Sequence, residues 1–147
     1  MSDPFSAASG AVGVISLGLT VCQGLASYYE AWNSQDQEIR SVVRDLHAVT
    51  KSLALVEQKA KHDRFVDVDA LNHLQDVIAS TQETIQELNK ILTKCKETTP
   101  AASVKQKIQI VSQRLLYPFR QATIQRLQTA VKSTQQNVAL ALQTFQL

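Results

Sequence analysis

The stretch PFSAASGAVGVISLGLTVCQGLASYY, from Pro4 to Tyr29, decides the fold. It contains no Asp, Glu, Lys, Arg or His, and it holds all four glycines of the chain, Gly10, Gly13, Gly18 and Gly24. As a helix it would extend roughly 39 Å at about 1.5 Å per residue, against about 30 Å of bilayer hydrocarbon. Its polar members Ser6, Ser9, Ser16, Thr20, Gln23 and Ser27 follow one another at intervals of 3, 7, 4, 3 and 4 residues. At about 100° per residue they fall within one sector roughly 100° wide, which Gly13 and Gly24 join. Val14, Ile15, Leu17, Leu19, Val21, Cys22 and Leu25 fill the rest of the circumference. The spacing therefore predicts an amphipathic helix over about 4–32 with a narrow, uncharged polar stripe. A helix apolar over so much of its surface belongs in a core or in a membrane. Small and hydroxylated residues keep it from reading as a firm transmembrane anchor. The absence of a positive leading region, with Asp3 in its place, argues against a secretory signal.

Working outward, three further helical segments follow. Ile39, Val42, Val43, Leu46, Val49, Leu53, Val56 and Ala60 repeat at helical spacing over about 36–61, with Ser34 or Asp36 as N-cap and Glu38 at the positive end of the helix dipole. The pattern breaks from His62 to Asp67, which reads as a loop, with Asp67 a cap for the next helix. Over 68–97 the buried stripe is Val68, Leu71, Leu74, Ile78, Ile85, Leu88, Ile91 and Leu92, with Lys90, Lys94 and Lys96 towards the C-terminal end. Thr98, Thr99 and Pro100 form a turn. A last segment, about 103–146, faces Val104, Ile108, Val111, Leu115, Ile124, Leu127, Val131, Val138, Leu142 and Phe145 inward. Pro118 lacks an amide hydrogen and predicts a kink or short break at Leu116–Phe119. No strand pattern is present. The expected fold is all-α, a four-helix bundle in one domain spanning 1–147.

The net charge of +2 conceals a partition. Residues 1–35 carry −2, residues 36–89 carry −4 and residues 90–147 carry +8. A basic C-terminal third suits anionic lipid, nucleic acid or an acidic partner, or is a solvated face. Cys22 and Cys95 are far apart and lack metal-ligand spacing, so buried reduced thiols are expected.

Catalytic signatures are missing: no phosphate-binding loop, no dinucleotide fingerprint and no zinc-protease helix motif occur. His47, His62 and His73 have no Cys or second His at ligand spacing, and Asp67 and Asp69 read as helix-start residues. The expectation is a non-enzyme with no cofactor, no metal and no small-molecule substrate. Few aromatics interleave with the basic residues, so nucleic acid is not an expected partner either.

Several blocks carry a family resemblance. They are Asp3-Pro4-Phe5-Ser6 with Gly13-Val14-Ile15-Ser16-Leu17-Gly18-Leu19, then Val21-Cys22-Gln23-Gly24-Leu25 and Tyr28-Tyr29-Glu30-Ala31-Trp32. Late in the chain Leu115-Leu116-Tyr117-Pro118-Phe119-Arg120 and Val138-Ala139-Leu140-Ala141-Leu142 continue it. Together they resemble the HeLo-like N-terminal domains of fungal STAND (NOD-like) receptors and of amyloid-controlled cell-death effectors. The resemblance covers nearly the whole chain; its first block is specific and its middle helices are generic. It implies a bundle related to the helical domain of the mammalian necroptosis executioner and to plant resistance-protein helical domains. It also implies a role in fungal programmed cell death and heterokaryon incompatibility: cytoplasmic at rest, the domain oligomerises on activation and permeabilises the plasma membrane. A nucleotide-binding module or a prion-forming motif would follow such a domain; neither is in these 147 residues, so an excised domain is expected.

On that reading Phe5, Val12, Val14, Ile15, Leu17, Leu19, Val21 and Leu25 are the membrane-inserting side chains. Gly10, Gly13, Gly18 and Gly24 are candidates for helix association in lipid, since small residues let helices approach closely; the same glycines suit tight packing in a soluble bundle. Lys90, Lys94, Lys96, Lys105, Lys107, Arg114, Arg120, Arg126 and Lys132 are candidates for anionic headgroups. Tyr28, Tyr29 and Trp32 suit a membrane interface or the closing of one bundle end. The rival expectation is an oligomerising adaptor domain that never touches lipid.

Overall fold

A computed structural model describes residues 4–32, 36–62, 68–97 and 116–146. Four α-helices account for nearly all of them: α1 Pro4–Ala31, α2 Gln37–His62, α3 Val68–Glu97 and α4 Gln121–Gln146. A single 3-10 turn, Tyr117–Phe119, precedes α4, and there is no strand among the described residues.

Local chemistry explains where these helices begin and end. Pro4 occupies the first helical position of α1, where its missing amide hydrogen is no loss. The α2 start is capped by Asp36, whose Oδ1 accepts from the Glu38 amide at 2.8 Å while its carbonyl accepts from Arg40 at 3.1 Å. Lys94 and Lys96 in the last turn of α3 complement its negative end. At Pro118 the expected break takes a definite form. Leu116 and Arg120 are both extended, and between them the Phe119 amide donates to the Leu116 carbonyl at 3.0 Å. The Arg120 carbonyl then accepts from Ile124 at 3.0 Å, and α4 starts from there. The expected cap Asp67, the loop up to it, the Thr98–Pro100 turn and the expected helical stretch 103–115 lie outside the described residues.

Contacts along the helices define an up-down-up-down bundle. Ser16 meets Glu57, Gly18 meets Leu53 and Glu30 meets His47, so α1 and α2 run antiparallel. Gly18 meets Ile85, Gly24 meets Leu92 and Tyr29 meets Cys95, so α1 and α3 run parallel. Thr134 meets Thr84 and Arg126 meets Glu87, so α4 returns antiparallel to α3. α1 and α4 each pack against both α2 and α3, which leaves α2 and α3 at opposite corners.

The core follows the predicted periodicity closely in α2, where Ile39, Val42, Leu46, Val49, Leu53 and Val56 are all buried and Val43, expected inside, is half-buried. In α3 the stripe passes through Val77 and Thr81 as well as Ile85, Leu88, Ile91 and Leu92; Ile78, expected inside, is half-buried. In α4 the interior holds Thr123, Ala130, Thr134, Ala141 and Thr144 beside Ile124, Leu127, Val131 and Val138, and Leu142 is half-buried. Three of the four buried threonines are compatible with a core because their hydroxyls turn back on their own helices. Thr81, Thr134 and Thr144 donate to the carbonyls of Val77, Ala130 and Leu140 at 2.7, 2.8 and 3.1 Å.

Candidate functional site

The candidate site is α1 and what holds it. Ile15, Gly18, Val21, Cys22, Leu25, Ala26, Tyr29 and Trp32 recur every three or four residues and are buried against the other helices. The opposite side, Gly13, Ser16, Leu17, Thr20, Gln23 and Ser27, is exposed and carries no charge at all. Surface helices ordinarily put charged side chains there. The helix makes an ordinary core contact with its inner side. Over Val12–Ala31, 20 residues, it is long and apolar enough by length and composition to cross a membrane, a property that core helices of soluble proteins also have.

Leu17, expected on the packed apolar face, is 42% exposed. It sits at the margin of the polar sector. Val12, Val14 and Leu19 are half-buried at the edges of the core, while Ile15, Val21 and Leu25 are at its centre. The Phe5 side chain lies outside the described residues.

The four glycines divide into two pairs. A methyl group at Gly18 would come within 2.7 Å of Ile85 Cδ1 and 3.2 Å of Leu53 Cδ1, and one at Gly24 within 3.0 Å of Leu92 Cδ2. These two glycines let α1 lie close against α2 and α3. Gly10 and Gly13 are exposed, and a methyl group there would meet nothing within 4 Å. Packing against the described residues gives no reason for either of them.

The C-terminal end of α1 is locked by aromatic stacking. Phe119 receives Trp32 and Tyr29 edge-on, with ring centroids 4.9 and 5.7 Å apart, and Tyr28 meets Tyr29 edge-on at 5.5 Å. The Tyr29 hydroxyl donates to the Pro118 carbonyl at 2.8 Å and lies 3.8 Å from Cys95 Sγ. Burial pushes the Tyr29 phenol up, with the neighbouring Cys95 thiol adding to the effect. Cys22 and Cys95 are free, buried thiols. Burial raises Cys22 to about 12 and Cys95 to about 11, the latter held back by its hydrogen bond with Tyr29. At neutral pH both are protonated, small and apolar, and neither is a nucleophile. The aromatic residues thus close one end of the bundle in this conformation.

The expected headgroup residues are placed unevenly. Lys90, Lys96, Arg120 and Lys132 are exposed on α3 and at the start and middle of α4. Lys94 lies over the Tyr117 ring, 5.4 Å from its centroid. Arg126 is engaged by Glu87, its Nε donating to Oε1 at 3.0 Å. This pair stands in a groove of about 530 Å³ between α3 and α4. Lys105, Lys107 and Arg114 lie outside the described residues. A second set of cations, Arg40, Arg44 and Lys51 with His47, was hidden from sequence reasoning by the net acidity of residues 36–89. It borders a groove of about 610 Å³ against Tyr29 and Glu30. Helical phase, rather than segment charge, was the signal that would have found it. Among the described residues no group of three or more His, Cys, Asp and Glu side chains is gathered for a metal ion.

No family model matches the chain, and no solved structure matches it. It is similar to a fungal protein, the azaphilone pigments biosynthesis cluster protein L of Monascus ruber, with 32% identity over 143 residues. The match takes in 95% of this chain and 30% of the relative, so the chain spans about a third of that relative's length. The protein is an all-α four-helix bundle with sequence similarity to part of a fungal protein.

Proposed function

We propose that this bundle is a membrane-permeabilising domain of the HeLo-like kind, at rest in the cytoplasm and acting at the plasma membrane after self-association. The observation that carries the reading is the exposed face of α1, which is uncharged from Gly10 to Ser27 while its other face is core. Such a helix has two acceptable surroundings. In the bundle its apolar stripe is buried by α2 and α3; in a bilayer the same stripe faces acyl chains and the Ser, Thr and Gln side chains of several copies face one another. Gly10 and Gly13, which meet no side chain among the described residues, then serve close approach between copies. The HeLo-like resemblance supplies the class of activity, fungal cell-death execution. The Monascus ruber relative is named for a pigment cluster, and no molecular activity comes to this chain from that name.

Release of dye from vesicles tests the reading. The purified chain is expected to empty vesicles of phosphatidylcholine with phosphatidylserine. Binding or self-association with no release of dye would favour the adaptor reading instead.

A further inference from the structure

The α2 helix carries a cationic ridge on the side opposite its core contacts. Arg40, Arg44, His47 and Lys51 succeed one another at intervals of 4, 3 and 4 residues, and all four are exposed. At 100° per residue they lie within an arc of about 60°, along roughly 17 Å of helix. Leu55 continues the same line one turn on and is 52% exposed, the most exposed of the large apolar side chains described. The carboxylates of the helix, Glu38, Asp45 and Glu57, stand about 110° or more from the centre of the ridge, and the capping Asp36 lies one turn before Arg40. Glu57 is turned towards α1, where it accepts from the Ser16 hydroxyl at 3.0 Å. Glu30 of α1 meets the ridge at His47, and Arg44 contacts Asp45 at 3.9 Å with its own side chain 78% exposed. Arg40, Arg44 and Lys51 thus form a line of fixed positive charge beside α1.

We propose that this ridge, rather than the basic C-terminal third, is the surface that docks on an anionic bilayer, with Leu55 entering the interface. The proposal rests on the membrane reading above and names the face through which it begins. Three features select a bilayer over nucleic acid. A leucine in line with the cations has no counterpart on a phosphodiester backbone, but it gains from entering the headgroup boundary. No aromatic side chain stands on the ridge to stack a base. The neighbouring helix is α1, so docking through α2 sets the uncharged face of α1 close to the lipid. Each cation near an anionic surface favours binding roughly fivefold, so the three permanent charges together supply on the order of a hundredfold.

The test compares two triple variants of the full chain, Arg40→Gln/Arg44→Gln/Lys51→Gln and Lys90→Gln/Lys96→Gln/Lys132→Gln. All six positions are exposed, so both variants are expected to keep the wild-type helical signal and melting temperature. Binding is read by co-sedimentation with phosphatidylcholine vesicles with and without phosphatidylserine. The ridge variant is expected to lose on the order of a hundredfold in partitioning to the anionic vesicles, and the second variant only a small part of that. Leu55→Ser should weaken binding while leaving its salt dependence unchanged. Equal losses in the two triple variants, or none in the ridge variant, would overturn the proposal, as would tighter retention of the wild type on DNA than on vesicles. Dye release separates this outcome from that of the broader reading. Ridge-dependent binding without release leaves the docking surface standing and removes permeabilisation; release that survives loss of the ridge does the reverse.

Discussion

The Tyr29 hydroxyl donates to the Pro118 carbonyl across 2.8 Å, joining the end of α1 to the turn that launches α4. The bond is buried, and it couples two features that are 89 residues apart in sequence. For α1 to leave the bundle, this bond must break and Phe119 must separate from Trp32 and Tyr29. Tyr29→Phe keeps the ring stacking and removes only the hydroxyl, leaving the Pro118 carbonyl without its donor. A loss of about 1–2 kcal/mol is expected in urea unfolding. On the membrane reading, the same variant should release dye at lower protein concentration than wild type.

Trp32 is the chain's single tryptophan, and it is packed against Phe119. Its fluorescence therefore reports on the end of α1 alone. Anionic vesicles should shift its emission and alter its quenching by iodide, while neutral vesicles leave both unchanged. An emission spectrum indifferent to anionic vesicles would mean that the aromatic end stays closed on the membrane.

Gly13 and Gly18 should respond in opposite directions to the same change. Gly13→Ala adds a methyl group in open space on a helix and should stabilise the protein by up to about 1 kcal/mol. Gly18→Ala places that methyl 2.7 Å from Ile85 Cδ1, and both Ile85 and Leu53 are fully buried, with little room to yield. Overpacking of this kind costs about 1–3 kcal/mol, only partly offset by the helical preference of alanine. Thermal melts of the two variants check the contrast. If Gly13 serves association between copies in lipid, Gly13→Ala should also release less dye despite its greater stability.

The buried thiols predict an alkaline limit to stability. Burial raises Cys22 from 9.0 to about 12 and Cys95 from 9.0 to about 11. The folded state therefore holds these protons more tightly than the unfolded chain does. Their contribution is fully present below about pH 9 and disappears as pH rises from there towards 11 and 12. Urea midpoints followed from pH 8 to 11 should fall above pH 9, and less steeply in Cys22→Ala. At pH 8 a thiol-specific reagent should find neither cysteine in the native protein and both in urea.

The helices were legible because hydrophobic spacing is a local property. Ile39 to Val56 show it most clearly, and Pro118 announced its own break through the missing amide hydrogen. The threonines of the core were not legible, because a polar composition does not reveal a hydroxyl satisfied four residues back, as in Thr81 and Thr134. Nor did the glycines sort themselves. Gly18 and Gly13 are alike in sequence and differ only in which neighbours the fold brings up to them. The cations of α2 were overlooked for a related reason: summing charge over residues 36–89 mixes the ridge with carboxylates on other sides of the helix.

Leu17→Glu is the most direct test of the claim that α1 is the membrane-active element. Leu17 is 42% exposed, so the bundle should tolerate the substitution with an unchanged helical signal and melting temperature. A carboxylate at the middle of a helix that must enter lipid is costly by several kcal/mol. Dye release from anionic vesicles, measured side by side for the two proteins, is predicted to be strong for wild type and abolished for Leu17→Glu. Equal release by both would contradict the account.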